Sequence, residues 1–322
     1  MSGTSREEDL RLQRLVDARS QTFRDRLPPR LRAAFDDLAS RLGLGRVREG
    51  EAFVSYFVAP LALPVLQLPA WACRLAALEG TPLPDESEDD LIEAAATGYL
   101  HVRVQDDLID EEVGRPAEAM LLAEALFVRH QSLIARVVGA SEGFWRLFEE
   151  RWLEYDDAMI LERELMDRRE GYDAAAFERV LRRTQPLVLP GAAALVRGGL
   201  ADRVSILDEH VAHLATAHQL FHDLIDADKD FRMGNHTHVV QRFRGGEGRE
   251  ALIRKLMLEG GFDEVTDEAL AALERAESAA ARLPMPEAVD AIRCRRQLME
   301  QTRREAFESL FRSILAKNAG TH

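Results

Sequence analysis

The sequence predicts an all-α protein built as one large helical domain over residues 1–322. Three observations predict it: apolar residues recur at three- and four-residue steps through most of the chain, runs that alternate apolar with polar are missing, and the interruptions are short turns. With 46% hydrophobic residues the chain can build a substantial core, and 56 acidic against 42 basic residues leave a net charge of −14. An acidic field repels a phosphate backbone, so no nucleic-acid partner is expected.

In chain order, the N-terminal MSGTSREEDLRLQRL is charged and lacks the apolar stretch of a secretion signal. The segment from Phe53 to Ala72 carries no charge and has the length of a membrane span. Pro60, Pro64 and Pro69 would each break its helix ladder, and no neighbouring apolar segment offers a partner span. It therefore reads as buried core, or secondarily as the wall of an apolar site, and no transmembrane segment is expected. The helical pattern is strongest in EAMLLAEALFVRHQSLIARVV (118–138), GFWRLFEERWLEYDDAMILERELM (143–166), AAFERVLRRT (175–184) and AVDAIRCRRQLMEQTRREAFESLFRSILAK (288–317). Breaks are expected at EGTPLPDES (79–87), GASEG (139–143), RGGLAD (197–202), RGGEG (244–248), LEGGFD (258–263) and LPMP (283–286). Two cysteines, Cys73 and Cys294, are too few to staple a chain of this length, and a reducing cytoplasm follows.

Two acidic stretches carry the chemistry. In HVRVQDDLIDEE (101–112), a helix would place Asp106 and Asp110 about 40° apart, with Asp107 close beside Asp110. Like charges among apolar neighbours such as Leu108 and Ile109 are costly without a cation, and Arg103 is placed to pair with Asp107. One such run alone reads as a solvated helix face. The second stretch, HQLFHDLIDADKDFRMGNHT (218–237), changes the balance: Asp223, Asp226 and Asp230 fall within about 60° of one another, with Gln219 one turn above. Two acidic faces meeting across a cavity would suit Mg²⁺, which takes one or two carboxylates and completes its octahedron with water and substrate phosphate. A calcium loop is excluded because Phe231 stands where the glycine belongs and Thr237 where the last carboxylate belongs. A zinc-protease reading of His218 to His222 fails because Gln219 cannot act as a general base. A metal phosphohydrolase of the HD type, using His222 and Asp223 with His210, His213 and His218, stands as a rival.

In the order of these motifs the chain resembles the class I isoprenoid synthases, and most closely the trans-polyprenyl diphosphate synthases. Asp106-Asp107-Leu108-Ile109-Asp110 is similar to their first aspartate-rich motif, and Arg115 stands at the place of the arginine that follows it. Ala123 to Phe127 resembles the next helix, Arg183-Thr184 stands where Lys-Thr is usual, Gln219 to Asp226 resembles the second aspartate-rich motif, and Asp230 to Thr237 the stretch after it. The resemblance implies a helical bundle with a central cavity and a Mg²⁺-dependent ionisation of an allylic prenyl diphosphate. Six aspartates, Asp106, Asp107, Asp110, Asp223, Asp226 and Asp230, would hold three Mg²⁺ ions. Arg115, Arg183, Thr184, Gln219, Lys229 and Arg232 would bind the diphosphate, and Phe53, Tyr56, Phe57, Tyr99 and Phe127 would face the allylic cation. His101 and Val102 would shape the pocket floor, and a cytoplasmic homodimer is expected. Departures bear on the reaction: no Gly-Gly-Lys-Arg lies upstream, Arg46 and Arg48 being poor substitutes, His222 replaces an aspartate, and Arg183 and Asn235 replace lysines. Prenyl transfer therefore stands beside cyclisation and the head-to-head coupling of squalene and phytoene synthases, and beside an inactive homologue.

Overall fold

The computed structural model describes residues 3–42, 57, 62–109, 114–168, 172–244 and 248–319, and among them every regular element is helical. In the first part of the chain these are α1 (Gly3–Arg26), α2 (Pro29–Leu42), α3 (Gln67–Leu78), α4 (Asp85–Ile109), α5 (Pro116–Val138) and α6 (Glu142–Arg168). There follow α7 (Ala174–Val180), α8 (Leu189–Arg197), α9 (Val204–Met233), α10 (His238–Arg244), α11 (Arg249–Met257), α12 (Gly261–Arg282) and α13 (Pro286–Ala319). Five of the six breaks read from glycine and proline fall at junctions between described helices, and residues 245–247 of the sixth lie outside the described residues. Two compact units emerge: Met1–Leu153, Gln185–Asp208 and Ala280–Ala288 form the first, and Glu154–Thr184, Glu209–Ala279 and Val289–His322 the second. No shift of composition marks the division, because it falls inside continuous helices such as α6 and α9.

In the first unit, α5 shows how sequence becomes helix. Pro116 at its start surrenders no hydrogen bond and presets φ, and Gly139 ends it with a φ of 59°. Its Ala119, Leu122, Ala123, Leu126, His130, Leu133 and Ile134, each one, three or four residues from the next, are all buried. The first four share a core cluster with Ile92, Ala95, Ala96 and Leu100 of α4, Phe35 and Leu38 of α2, and Leu12 and Val16 of α1. Each buried Leu, Ile or Phe contributes about 1.5–3 kcal/mol.

Two imidazoles pin α4 to α5 reciprocally. His130 of α5 meets the Ala94 carbonyl of α4 through Nδ1 at 2.8 Å, and His101 of α4 meets the Ala123 carbonyl of α5 through Nδ1 at 2.8 Å. A carbonyl only accepts, so each Nδ1 carries a proton, and burial favours the neutral form of each ring. Burial pushes the His130 imidazole down to about 4, although its bond to Ala94 works the other way. Gly98 makes the approach feasible, since a Cβ there would lie 2.7 Å from His130 Nδ1.

Two expectations need correction, one for Pro69 and one for the helical pattern over 175–184. Pro69 does not interrupt a helix; it lies in the first turn of α3, where its missing N–H has no partner to lose, and Leu66, Leu68, Ala70 and Ala72 around it are at most 1% exposed. No described helix is long and apolar enough to cross a membrane. The stretch 175–184 is α-helical only to Val180 and continues as 3-10 helix over Leu181–Val188. Pro186 lies inside that segment, and an α-turn would drive its ring against the carbonyl four residues earlier.

In the second unit α7 is capped by Asp173, whose side chain accepts from the Ala176 N–H at 2.7 Å. Along α12, Val265, Ala269, Ala272, Leu273 and Ala276 are fully buried. His210 of α9 meets the Ala276 carbonyl through Nδ1 at 2.9 Å, repeating the arrangement of His101 and His130.

Two predictions follow from the α4–α5 contact. Alanine at position 98 would ordinarily gain about 0.5–1 kcal/mol of helix propensity, but crowding the imidazole costs about 1–3 kcal/mol, so Gly98→Ala is expected to lower stability in urea denaturation. Because His130 binds a proton less readily folded, near 4, than at its ordinary 6.5, the unfolded chain takes up more protons between those values. Stability should therefore fall as pH drops from 6.5 towards 4, by about 3 kcal/mol from this residue. His130→Gln, which cannot titrate, should flatten that limb of the stability curve.

Candidate functional site

The first acidic motif lies at the C-terminal end of α4 in the first unit; Asp110 lies outside the described residues, as do Phe53, Tyr56, Arg46 and Arg48. Asp107 is 3% exposed and receives two guanidiniums: Arg41 Nη1 of α2 donates to its Oδ2 at 2.5 Å, and Arg103 Nη2 to its Oδ1 at 3.1 Å. Arg103 Nη1 also donates to Asp106 Oδ2 at 2.8 Å. Arg103 therefore has the pairing its spacing predicts, whereas Arg41, 66 residues from Asp107, carried no sequence signal. Asp106 is the more exposed carboxylate, at 27% of its side chain. Arg115 is exposed at the N-cap of α5, just before Pro116.

Ring contacts continue from α4 through the first unit. Phe57 meets Tyr99 edge to face at 5.4 Å between centroids. His101 packs against Phe127 at 5.1 Å and Trp152 at 5.3 Å, Phe127 against Trp152 at 5.0 Å, and His130 stacks on Phe148 at 5.7 Å. His101 and Phe127 thus belong to one aromatic cluster, with Trp152 and Phe148 as members that the sequence did not single out.

The second motif lies on α9 in the second unit, where Asp223 and Asp230 are buried and Asp226 is partly exposed. The helix ends in a glycine cap: Gly234, at a φ of 79°, donates to the Phe231 carbonyl at 3.2 Å and Asn235 to the Asp230 carbonyl at 2.8 Å. The Asn235 side chain lies 3.5 Å from Asp230 Oδ1. Behind Asp223 runs a polar relay. Glu162 of α6 accepts from Arg183 Nη1, Arg183 Nη2 donates to Gln219 Oε1 at 2.7 Å, and Gln219 Nε2 donates to Asp223 Oδ1 at 2.6 Å. Burial pushes the Asp223 carboxyl up to about 7; Gln219 and Arg183 oppose this, and Asp230 and Glu162 add to it. Burial likewise raises Asp230, with Asp226 contributing. Tyr172 is close to the same group: burial raises its phenol, and Glu162 and Asp223 reinforce the shift.

The remaining candidates divide. Thr184 Oγ1 donates to the Leu181 carbonyl of its own turn at 2.8 Å. Lys229 Nζ lies 3.7 Å and His222 Nδ1 3.9 Å from Asp226 Oδ2, both side chains more than half exposed. Arg232 pairs with Asp228 at 3.3 Å, and Asp228 is also gripped by Arg249 at 2.5 Å. Glu162, Tyr172 and Arg41 are the participants that sequence reasoning missed; none stands in a motif.

Chemically, Asp223, Asp226 and Asp230 offer only carboxylate oxygens, the donors that hard divalent cations take. Burial raises the proton affinity of Asp223 and Asp230, and a divalent cation fits carboxylates in that condition. Among the described residues no three His, Cys, Asp or Glu side chains gather as a ready-made metal cage. An ion there would complete its shell with water and phosphate oxygens, the ordinary habit of Mg²⁺.

No protein-family model matches the chain, and no curated protein matches it significantly. Solved structures do. A polyprenyl synthase from Caulobacter crescentus, complexed with calcium and isoprenyl diphosphate, aligns with a TM-score of 0.66 at 16% identity, over 92% of this chain and 95% of that one. The chain has the isoprenoid synthase fold. A geranylgeranyl pyrophosphate synthetase from the archaeon Geoglobus acetivorans aligns at 0.62 and 15% identity, over 90% of this chain and 97% of that one. A geranylgeranyl pyrophosphate synthase from Corynebacterium glutamicum aligns at 0.60 and 17% identity, over 92% and 94%. The all-α expectation and the resemblance at the level of fold both hold.

The pairing in the first motif is open to test. Asp107→Asn removes a buried charge held by two partly exposed guanidiniums and should cost about 1–2 kcal/mol in urea denaturation, whereas Asp106→Asn should stay within about 0.5 kcal/mol.

Proposed function

We propose that this protein is a divalent-metal-dependent isoprenoid synthase that ionises an allylic prenyl diphosphate, with prenyl transfer as its reaction. The observation that carries the reading is the carboxylate group of α9, buried, backed by a polar relay and short of positive charge, in a chain with this fold. The structural relatives named as polyprenyl and geranylgeranyl synthases favour transfer over cyclisation.

Asp106, Asp107 and Asp110 of the first motif and Asp223, Asp226 and Asp230 of the second are the carboxylates that would hold Mg²⁺, three ions in all. When bound, the metal supplies Lewis-acid stabilisation of the departing diphosphate. Arg115, Lys229 and Arg232 are exposed cations for the phosphate oxygens, and Thr184 is a further group assigned to the diphosphate, while Arg183 and Gln219 serve it through their bonds to Glu162 and Asp223. Phe57 and Tyr99, packed edge to face, supply ring faces to an allylic cation and exclude water from it. Free Cys73 and Cys294 suit a reducing cytoplasm, and a homodimer belongs to the same proposal.

Incubation with C10, C15 and C20 allylic diphosphates and Mg²⁺, with and without isopentenyl diphosphate, tests the reading. A lengthened diphosphate formed only with the co-substrate is the expected result. A hydrocarbon or alcohol formed without it would replace transfer by cyclisation, phosphate released from nucleotides would favour the phosphohydrolase, and no product at all would indicate an inert homologue. Asp106→Ala and Asp226→Ala should each lower turnover on the order of a hundredfold, the loss of a few kcal/mol of charge stabilisation.

A further inference from the structure

We propose that Glu162 is a positioning residue that acts through Arg183 and Gln219 to fix the carboxylate of Asp223. The inference rests on the function proposed above and adds a residue to it. Glu162 is 9% exposed, lies on α6 at a distance in sequence from every motif, and holds Nη1 of Arg183. The other arm of that guanidinium donates to Gln219 Oε1 at 2.7 Å.

Arginine only donates, so the amide of Gln219 has one orientation available: its oxygen faces Arg183 and its nitrogen faces Asp223. The nitrogen then donates to Asp223 Oδ1 at 2.6 Å. One lone pair of Oδ1 is thereby committed, and Oδ2 is the oxygen that the relay leaves to a cation. Each member constrains the next, and the guanidinium supplies a charged donor to the chain of bonds. Without Glu162 the guanidinium would lose the carboxylate that holds its Nη1, and the contact that orders the two ends of the amide would be held less firmly. Arg183 thus serves as an orienting group behind the carboxylates, a role its place in the Arg-Thr pair does not disclose. Groups that orient a metal-binding carboxylate typically change metal affinity by about 10- to 100-fold when removed.

The test compares binding of inorganic pyrophosphate by calorimetry with and without Mg²⁺, for the full chain and for Glu162→Gln, which keeps the shape of the side chain. Wild type should bind pyrophosphate more tightly with Mg²⁺. Glu162→Gln should weaken binding about tenfold with Mg²⁺ present and leave metal-free binding unchanged. Gln219→Leu placed on Glu162→Gln should weaken it little further, because both act on one oxygen. If Glu162→Gln instead tightens metal-free binding, Glu162 merely restrains Arg183 from the anion and the positioning role is overturned. Equal Mg²⁺-dependent binding in both proteins, or fully additive losses in the double variant, overturns it as well. A wild type whose pyrophosphate binding ignores Mg²⁺ removes the proposed function and this inference together. Circular dichroism melts confirm that each variant is folded.

Discussion

A carboxylate taken out of water must meet a cation, accept hydrogen bonds or take up a proton, and the sites of this protein are arranged around that constraint. Asp107 and Asp223 are both 3% exposed, yet they meet it differently. Asp107 is answered within the protein by Arg41 and Arg103, two full positive charges. Asp223 receives one neutral amide, with the nearest guanidinium a bond further away and already engaged by Glu162. The difference leaves Asp107 satisfied as it stands and Asp223 in need of positive charge. A divalent cation would thus find the greater electrostatic demand on α9.

The scaffold solves the same problem with neutral groups. His101, His130 and His210 each direct Nδ1 to a carbonyl of a neighbouring helix, a bond that helical geometry permits because a carbonyl has a second lone pair. The imidazoles remain uncharged because burial depresses their proton affinity. Small residues on α4, with Gly98 facing the ring of His130, allow the helices to approach closely enough for these bonds to form. The rigidity that keeps α4 in place is therefore also what fixes where its last turn, with Asp106 and Asp107, begins.

Helices and their breaks were legible because their causes are local: a three-to-four-residue apolar period and a glycine or proline at the end. Pro186 carried a readable signal for the change to 3-10 geometry, and Pro69 an equally readable one for a helix start, since position within the turn decides what a missing N–H costs. The motif aspartates were legible as a pattern of like charge. Their partners were not. Arg41 and Glu162 lie outside every motif, and which of 42 basic or 56 acidic residues will meet a given charge depends on tertiary packing that no local spacing records. The aromatic cluster behaves alike: Phe127 stood out by its neighbours in sequence, while Trp152 and Phe148 reach it from another helix.

The spacing along α9 also decides between its histidines and its aspartates as candidates for metal binding. His210 and His222 are twelve residues apart, about 18 Å along the axis and about 120° around it, so they cannot share one ion. His210 has its Nδ1 proton on Ala276 and its Nε2 buried among the described residues, while His222 is 56% exposed beside Asp226. A histidine-based metal centre needs nitrogen lone pairs turned on a common point. Asp223, Asp226 and Asp230 span about 10 Å on one face, a length that water and phosphate oxygens bridge between ions held at either end. On this helix His218 and His222 are neighbours, with ring centroids 5.7 Å apart, but His210 lies too far away to join them. The three aspartates, by contrast, line one face at a spacing that water and phosphate oxygens can bridge, the arrangement expected for diphosphate chemistry.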